Sequence, residues 1–166
     1  APTGTISMLA GTTSGIEPVY SVAVKRRYLT DGTRWKYEYA IDGTAQALID
    51  QGISPDKIET AVDLAVEPQR RIQMQHDVQV YVDQAISSTI NLPQWGSELN
   101  NEDLVPQYAS LIQKYAKGLR GLTVYPDGSR GGQPITSVPY EEAVKKTGVV
   151  YEDNSEEQCM SGVCGI

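Results

Sequence analysis

Two helical patterns in this chain each run into a short β-branched segment, and no other feature restricts the fold as strongly. Pro68 can stand in the first turn of a helix, where its missing N–H costs nothing, and Val78, Tyr81, Val82, Ala85 and Ile86 then form an apolar stripe. That pattern leads straight into Thr89-Ile90-Asn91-Leu92, a predicted strand that Pro93 closes. The same order returns in Leu104, Val105, Tyr108, Leu111, Ile112 and Tyr115, with Lys114 and Lys117 suited to a helix C-terminus and Gly118 able to stop it. Leu122-Thr123-Val124-Tyr125 is the strand that comes next. Parallel strands need helical crossovers, so two such units predict an α/β fold. They differ too much to count as a repeat.

Elsewhere the signals are local. Val19–Tyr28 reads as a strand, Asp31-Gly32 as a hairpin turn, and Trp35, Tyr37 and Tyr39 alternate with polar residues as a half-exposed strand does. Ser54-Pro55 followed by Ile58, Ala61, Val62 and Ala65 predicts a helix from Pro55 to Val66. Past Pro126-Asp127-Gly128 the chain grows rich in Gly, Pro, Ser and acid, and Glu152, Asp153, Glu156 and Glu157 come without a base between them. This divides the chain into a folded part, 1–130, and a flexible tail, 131–166.

Composition narrows the function classes. With 166 residues, 40% of them hydrophobic, the chain is long enough for one domain with a real core. No apolar run approaches the roughly 20 residues of a membrane-spanning helix, and Ala1–Ser7 reads neither as a signal peptide nor as an anchor. Fourteen basic against 21 acidic residues give a net charge of −7, which argues against binding a nucleic-acid backbone but leaves a phosphorylated small molecule open. The chain does not begin with Met, and its first residues read as a loop, so it is expected to be a piece of a longer protein.

Two segments could carry chemistry. Cys159 and Cys164 are the only cysteines, and Ser161-Gly162 between them can turn the chain enough to close a disulfide. So small a loop near a chain end constrains little, which leaves reversible thiol exchange, incidental thiols or a metal site. Zinc would need two further ligands, and the sole histidine, His76, lies far away on a predicted helix, so no metal site is assigned. Thr3-Gly4-Thr5-Ile6-Ser7 is a hydroxyl-rich loop of the kind that takes phosphate through N–H and O–H groups, although it also fits an ordinary turn and is neither a Walker loop nor Gly-x-Gly-x-x-Gly. For His76 and Glu17 a packed or solvated role outweighs a catalytic one. Lys25-Arg26-Arg27 reads as a solvated edge or an interface, and the ten tyrosines without a phenylalanine point to no chemistry.

Five stretches taken in order resemble a known family. They are Ala1–Ser7, Ser14-Gly15-Ile16-Glu17-Pro18-Val19-Tyr20, Asp83–Pro93, Gly118–Arg130 and the pair Cys159/Cys164. Together they are similar to the C-terminal part of the large chain of class II, adenosylcobalamin-dependent ribonucleotide reductases. The resemblance implies the C-terminal portion of the ten-stranded reductase α/β barrel, with some strand faces left uncovered, followed by a flexible tail. It also implies that Pro2, Thr3, Gly4, Thr5 and Ile6 hold the substrate's phosphates. Cys159 and Cys164 would reduce an active-site disulfide and be reduced in turn by thioredoxin or a similar donor. Val124 before a single Tyr125 departs from the paired tyrosines of class I relatives and fits a cobalamin-dependent class. The family's radical cysteine and its reducible active-site pair have no counterpart here, since no cysteine lies outside the tail. Catalysis would therefore need an N-terminal partner chain holding most of the adenosylcobalamin contacts, in a cytoplasmic enzyme of deoxyribonucleotide synthesis. The alternative is a stand-alone α/β module that binds a phosphorylated ligand.

Overall fold

The computed structural model describes residues 3–30, 34–129 and 133–152, which fall into two compact units. The first contains residues 3–20 and Glu59–Ser129, the second the described residues of Ser21–Ile58 and residues 133–152.

In the first unit each of the two segments does place a helix before a strand. Helix α1 (Gly4–Ala10) opens it, and helix α3 (Pro68–Gln79) precedes strand β3 (Thr89–Leu92). Helix α4 (Val105–Tyr115) then crosses over to strand β4 (Thr123–Pro126), which pairs parallel to β3 with Ile90 opposite Val124. Ile72, Ile90, Leu92 and Tyr115 make the core, with Tyr108, Leu111, Leu119 and Leu122 packed around it. Val124 on β4 is 41% exposed.

Two helices differ from their predicted extents. Helix α3 stops at Gln79 instead of running to Ile86, because the buried Gln79 amide turns back on the adjoining loop. Its Nε2 donates to the carbonyls of Val82 (2.7 Å) and Gln84 (2.9 Å). Tyr81 and Val82, expected on an apolar stripe, are exposed, and the buried face is Arg71, Ile72, Gln75 and Gln79. The helix expected over 55–66 is broken into the 3-10 turns Pro55–Lys57 and Asp63–Val66. Thr60 starts a new turn in between, its N–H and hydroxyl both donating to the Asp63 carboxylate (2.8 and 2.6 Å).

The second unit is a four-stranded antiparallel sheet. Its order is β5 (Ile135–Ser137), β1 (Ala23–Thr30), β2 (Arg34–Ile41) and β6 (Val150–Glu152). The β1–β2 hairpin is the expected one, from Ala23 opposite Ile41 to Thr30 opposite Arg34, and Asp31-Gly32 lies outside the described residues. The strand expected from Val19 begins four residues late. Val19 and Tyr20 instead give their carbonyls to the N–H groups of Ala61 (2.8 Å) and Val62 (3.2 Å), outside any ladder. Helix α2 (Gly43–Asp50) has no counterpart among the predicted elements, although Asp42 caps it by accepting from the N–H groups of Thr44 and Ala45. Residues 133–152, which composition places in a flexible tail, form β5, β6 and helix α5 (Tyr140–Lys146).

Tyrosines build this unit's core. The Tyr37 and Tyr151 rings stack at 5.1 Å, and Tyr39 meets both edge-on above the fully buried Ala23 and Ala143. Lys146 donates to Glu142 (2.6 Å) and to the Tyr39 hydroxyl (3.2 Å). The Glu142 carboxyl is held below the usual range by Lys146 and then Tyr39, and hydrogen bonds to Glu142 first and Tyr39 second raise the Lys146 ammonium. Lys25-Arg26-Arg27 lies on an inner strand, not an edge. Lys25 covers the Tyr37 ring, Arg27 covers Trp35, and Arg26 pairs with Glu38 across the hairpin.

Candidate functional site

The hydroxyl-rich stretch at the start of the chain is the start of helix α1, not an extended loop. Thr3 sits in the left-handed region at φ 53°, and the chain then winds from Gly4, with the Ser7 N–H donating to the Thr3 carbonyl at 2.9 Å. The Ser7 hydroxyl donates to the Gly4 carbonyl (2.8 Å) and is turned inward, while Thr3, Gly4, Thr5 and Ile6 are exposed. The first turn of any helix leaves N–H groups without intrahelical acceptors, and here they come from the same short stretch as the exposed Thr3 and Thr5. That donor set suits an anion. Pro2, Cys159 and Cys164 lie outside the described residues.

A polar cluster that the sequence does not announce lies behind this helix. Gly15, at φ +57°, lets the chain pass so close to Ser87 that a Cβ at that position would come within 2.2 Å of the Ser87 carbonyl oxygen. The Ile16 N–H donates to that same carbonyl at 3.2 Å. Arg71, with a side chain only 7% exposed, donates to the Glu17 carboxylate (2.7 Å), the Ser88 hydroxyl (3.1 Å) and the carbonyls of Ile16 (3.2 Å) and Thr89 (3.1 Å). The other Glu17 oxygen accepts from the Thr89 N–H at 2.7 Å. Burial pushes the Arg71 guanidinium down, and Glu17 opposes that shift. In the sequence Glu17 reads as a loop acid, and nothing there singles out Arg71. The only signal is the spacing of Arg71, Gln75 and Gln79, three polar residues on one helical face, which reads more simply as a solvated surface.

His76 takes no part in a site. Its ring lies edge-on to Tyr115 at 5.4 Å, Nδ1 faces Asp77 at 3.1 Å, and a Cβ at Gly118 would come within 2.2 Å of the ring. A groove of about 800 Å³ between α3 and α4, lined by Arg70, Leu99, Tyr108 and Lys114 among others, includes none of Thr3, Gly4, Thr5 or Ile6. Among the described residues, no three His, Cys, Asp or Glu side chains gather as metal ligands, and no helix is long and apolar enough to cross a membrane.

With the geometry fixed, comparison with known proteins gives the family. The family model described as ribonucleotide reductase, barrel domain, matches residues 1–125, which include α1, the Glu17–Arg71 cluster and most of β4. The chain belongs to the ribonucleotide reductase family. It is 34% identical over 155 residues to a vitamin B12-dependent ribonucleoside-diphosphate reductase of Mycobacterium tuberculosis strain CDC 1551, a match covering 82% of this chain and 22% of that protein. A protein of the same name from Thermoplasma acidophilum is 31% identical over 155 residues, covering 82% of this chain and 19% of the relative. The chain thus spans about a fifth of the length of these reductases. A crystal structure of a B12-dependent class II ribonucleotide reductase shares the fold, with a TM-score of 0.59 at 18% identity, over 87% of this chain and 21% of that one. The α/β architecture is therefore a portion of the reductase barrel, and the resemblance read from the five motif stretches leads to the family that the matches show.

Proposed function

We propose that this chain supplies the substrate-phosphate helix and the reducible cysteine pair of a ribonucleoside-diphosphate reductase that converts ribonucleotides to deoxyribonucleotides. The observation that carries this reading is the start of α1, where Thr3, Gly4, Thr5 and Ile6 are exposed together at a helix N-terminus within the barrel-domain match. Thr3 and Thr5 hydroxyls and the first-turn N–H groups would receive the diphosphate, Pro2 would set the chain's entry, and Ile6 would pack beside the nucleotide. Exposed Ile6 and Leu9 suit a helix covered by the remainder of the enzyme, an N-terminal reductase chain or segment that carries the radical chemistry.

Vitamin B12 in the names of the relatives points to adenosylcobalamin, which supplies a radical source when bound. His76, the one imidazole, packs against Tyr115 and Gly118 and is not aimed to serve that group as a ligand. We assign most of its contacts to the rest of the enzyme, which we place in the cytoplasm.

Cys159 and Cys164 would act by exchange. Their two thiols form a disulfide while an active-site disulfide takes up two electrons and two protons, and thioredoxin or a similar dithiol then restores the pair. A Cys159→Ser/Cys164→Ser variant of the complete reductase, assayed with two reductants, tests this role. Turnover should collapse with thioredoxin and persist with dithiothreitol, a dithiol small enough to enter the site directly. Equal turnover with thioredoxin would reduce the pair to incidental thiols.

A further inference from the structure

We propose that Glu17 and Arg71 are positioning residues that hold the phosphate-binding start of α1 in place. The inference rests on the substrate role proposed for Thr3–Ile6. Helix α1 has little burial of its own, with Ile6 69% and Leu9 91% exposed and Ser7 turned inward. Within this chain, ties to the fold run through the segment on its C-terminal side. The Thr12 N–H donates back to the Ser7 carbonyl (3.0 Å), and the Thr13 hydroxyl donates to the Glu17 carbonyl (2.7 Å). From there each fixed contact leads to the N-terminal end of β3: Ile16 to Ser87, Glu17 to the Thr89 N–H, and Arg71 to Ile16, Glu17, Ser88 and Thr89 together.

One guanidinium and one carboxylate therefore fasten the segment behind the substrate helix to a core strand. Arg71 is suited to this because its planar fork serves several acceptors at once and remains charged when buried. Neither side chain needs to touch the nucleotide. Releasing the pair should let α1 drift and spread its donors, weakening the hold on the diphosphate in the ground state and the transition state alike. Such a loss raises KM and leaves kcat nearly unchanged.

The test uses the complete reductase with a ribonucleoside diphosphate as substrate. In Glu17→Gln the acceptor for the Thr89 N–H is kept and the charge is removed, whereas in Arg71→Lys the charge is kept and the fork is lost. Both variants should raise KM about five-fold or more, with kcat within about two-fold. If the pair acts through α1, Glu17→Gln combined with Thr5→Val should cost less than the two single changes added together, because the Thr5 hydroxyl is one of the donors that the pair holds in place. Normal KM in folded variants, a fall in kcat at unchanged KM, or full additivity with Thr5→Val would overturn the positioning role. Should Glu17→Gln not fold, Glu17→Gln/Arg71→Gln removes both charges together, and failure of that variant also would make the pair a folding element and end the proposal. Unchanged kcat/KM in Thr5→Val would instead sink the substrate reading of α1. An impaired Thr5→Val beside a normal Glu17→Gln sinks only the inference about the pair.

Discussion

The two units solve the problem of a small core in different ways. In the first, a parallel strand pair and two helices enclose Ile72, Ile90, Leu92 and Tyr115, and a half-buried ion pair links segments more than fifty residues apart in the chain. In the second, a local hairpin sets the register, and stacked tyrosines fill the space that aliphatic side chains fill elsewhere. The first unit thus rests on one shared core crossed by a charged cluster. The second rests on a hairpin whose two edges take up short strands from more than a hundred residues further along the chain, each held by its own ladder. Disturbances should accordingly spread in the first unit and stay local in the second.

The largest effect is expected from Ile90→Ala, since Ile90 is 1% exposed at the centre of the first core. A cavity of that kind costs about 2–5 kcal/mol. Hydrogen exchange on the complete reductase should then show lost protection across β3, α3 and α4 together. Loss confined to β3 would show that the first unit is less cooperative than its packing implies.

Gly15→Ala comes next. A side chain at φ +57° costs about 1–2 kcal/mol, and the contact with the Ser87 carbonyl adds to it. The amides of Ile16 and Thr89 should lose protection while β1 and β2 keep theirs. Normal protection at Ile16 would mean that the segment behind α1 is not held at Ser87.

In the second unit, Tyr151→Leu keeps an apolar side chain but removes the stack on Tyr37, which is worth about 0.5–1.5 kcal/mol. Exchange should quicken in β6 and the adjoining part of β2 alone. Spread into α3 or β3 would erase the contrast between the units.

The smallest effect is the pH response of the Tyr39–Glu142–Lys146 cluster. Because the Glu142 carboxyl is lowered, its contribution is present above the ordinary carboxylate range and fades as the pH falls through the lowered value. Because the Lys146 ammonium is raised, its contribution is present below the ordinary lysine value and fades as the pH rises through the raised one. NMR signals of the Tyr39 ring should stay constant from about pH 6 to 9, between those ranges, and move only outside them. A shift near neutrality would place another titrating group beside the cluster.

The same contrast explains which parts of the fold are legible in the sequence. Periodicity finds β3, α4, β4 and the hairpin because each rests on apolar residues at a fixed spacing. It fails where a polar side chain ends or begins an element. Gln79 stops α3 through its amide, Thr60 and Asp63 divide the expected 55–66 helix, and Asp42 caps an α2 too short to show a stripe. Composition misleads at residues 133–152, where Gly, Pro and acid suggest a tail but short strands add to the two edges of an existing hairpin. Of the candidate site, the start of α1 is visible from its hydroxyls and glycine. The Glu17–Arg71 pair is not, since nothing in a linear pattern marks a charge whose partner lies 54 positions away.

The central claim, that the start of α1 holds substrate phosphate, is tested most directly by equilibrium binding to the complete reductase. A ribonucleoside diphosphate and the same ribonucleoside without phosphate should be titrated onto the wild type and Thr5→Val. A hydrogen bond to a charged group is worth about 1.5–3 kcal/mol, so Thr5→Val should weaken the diphosphate roughly ten-fold or more and leave the bare nucleoside unchanged. Equal binding of the diphosphate to both proteins, or an equal loss for both ligands, would contradict it.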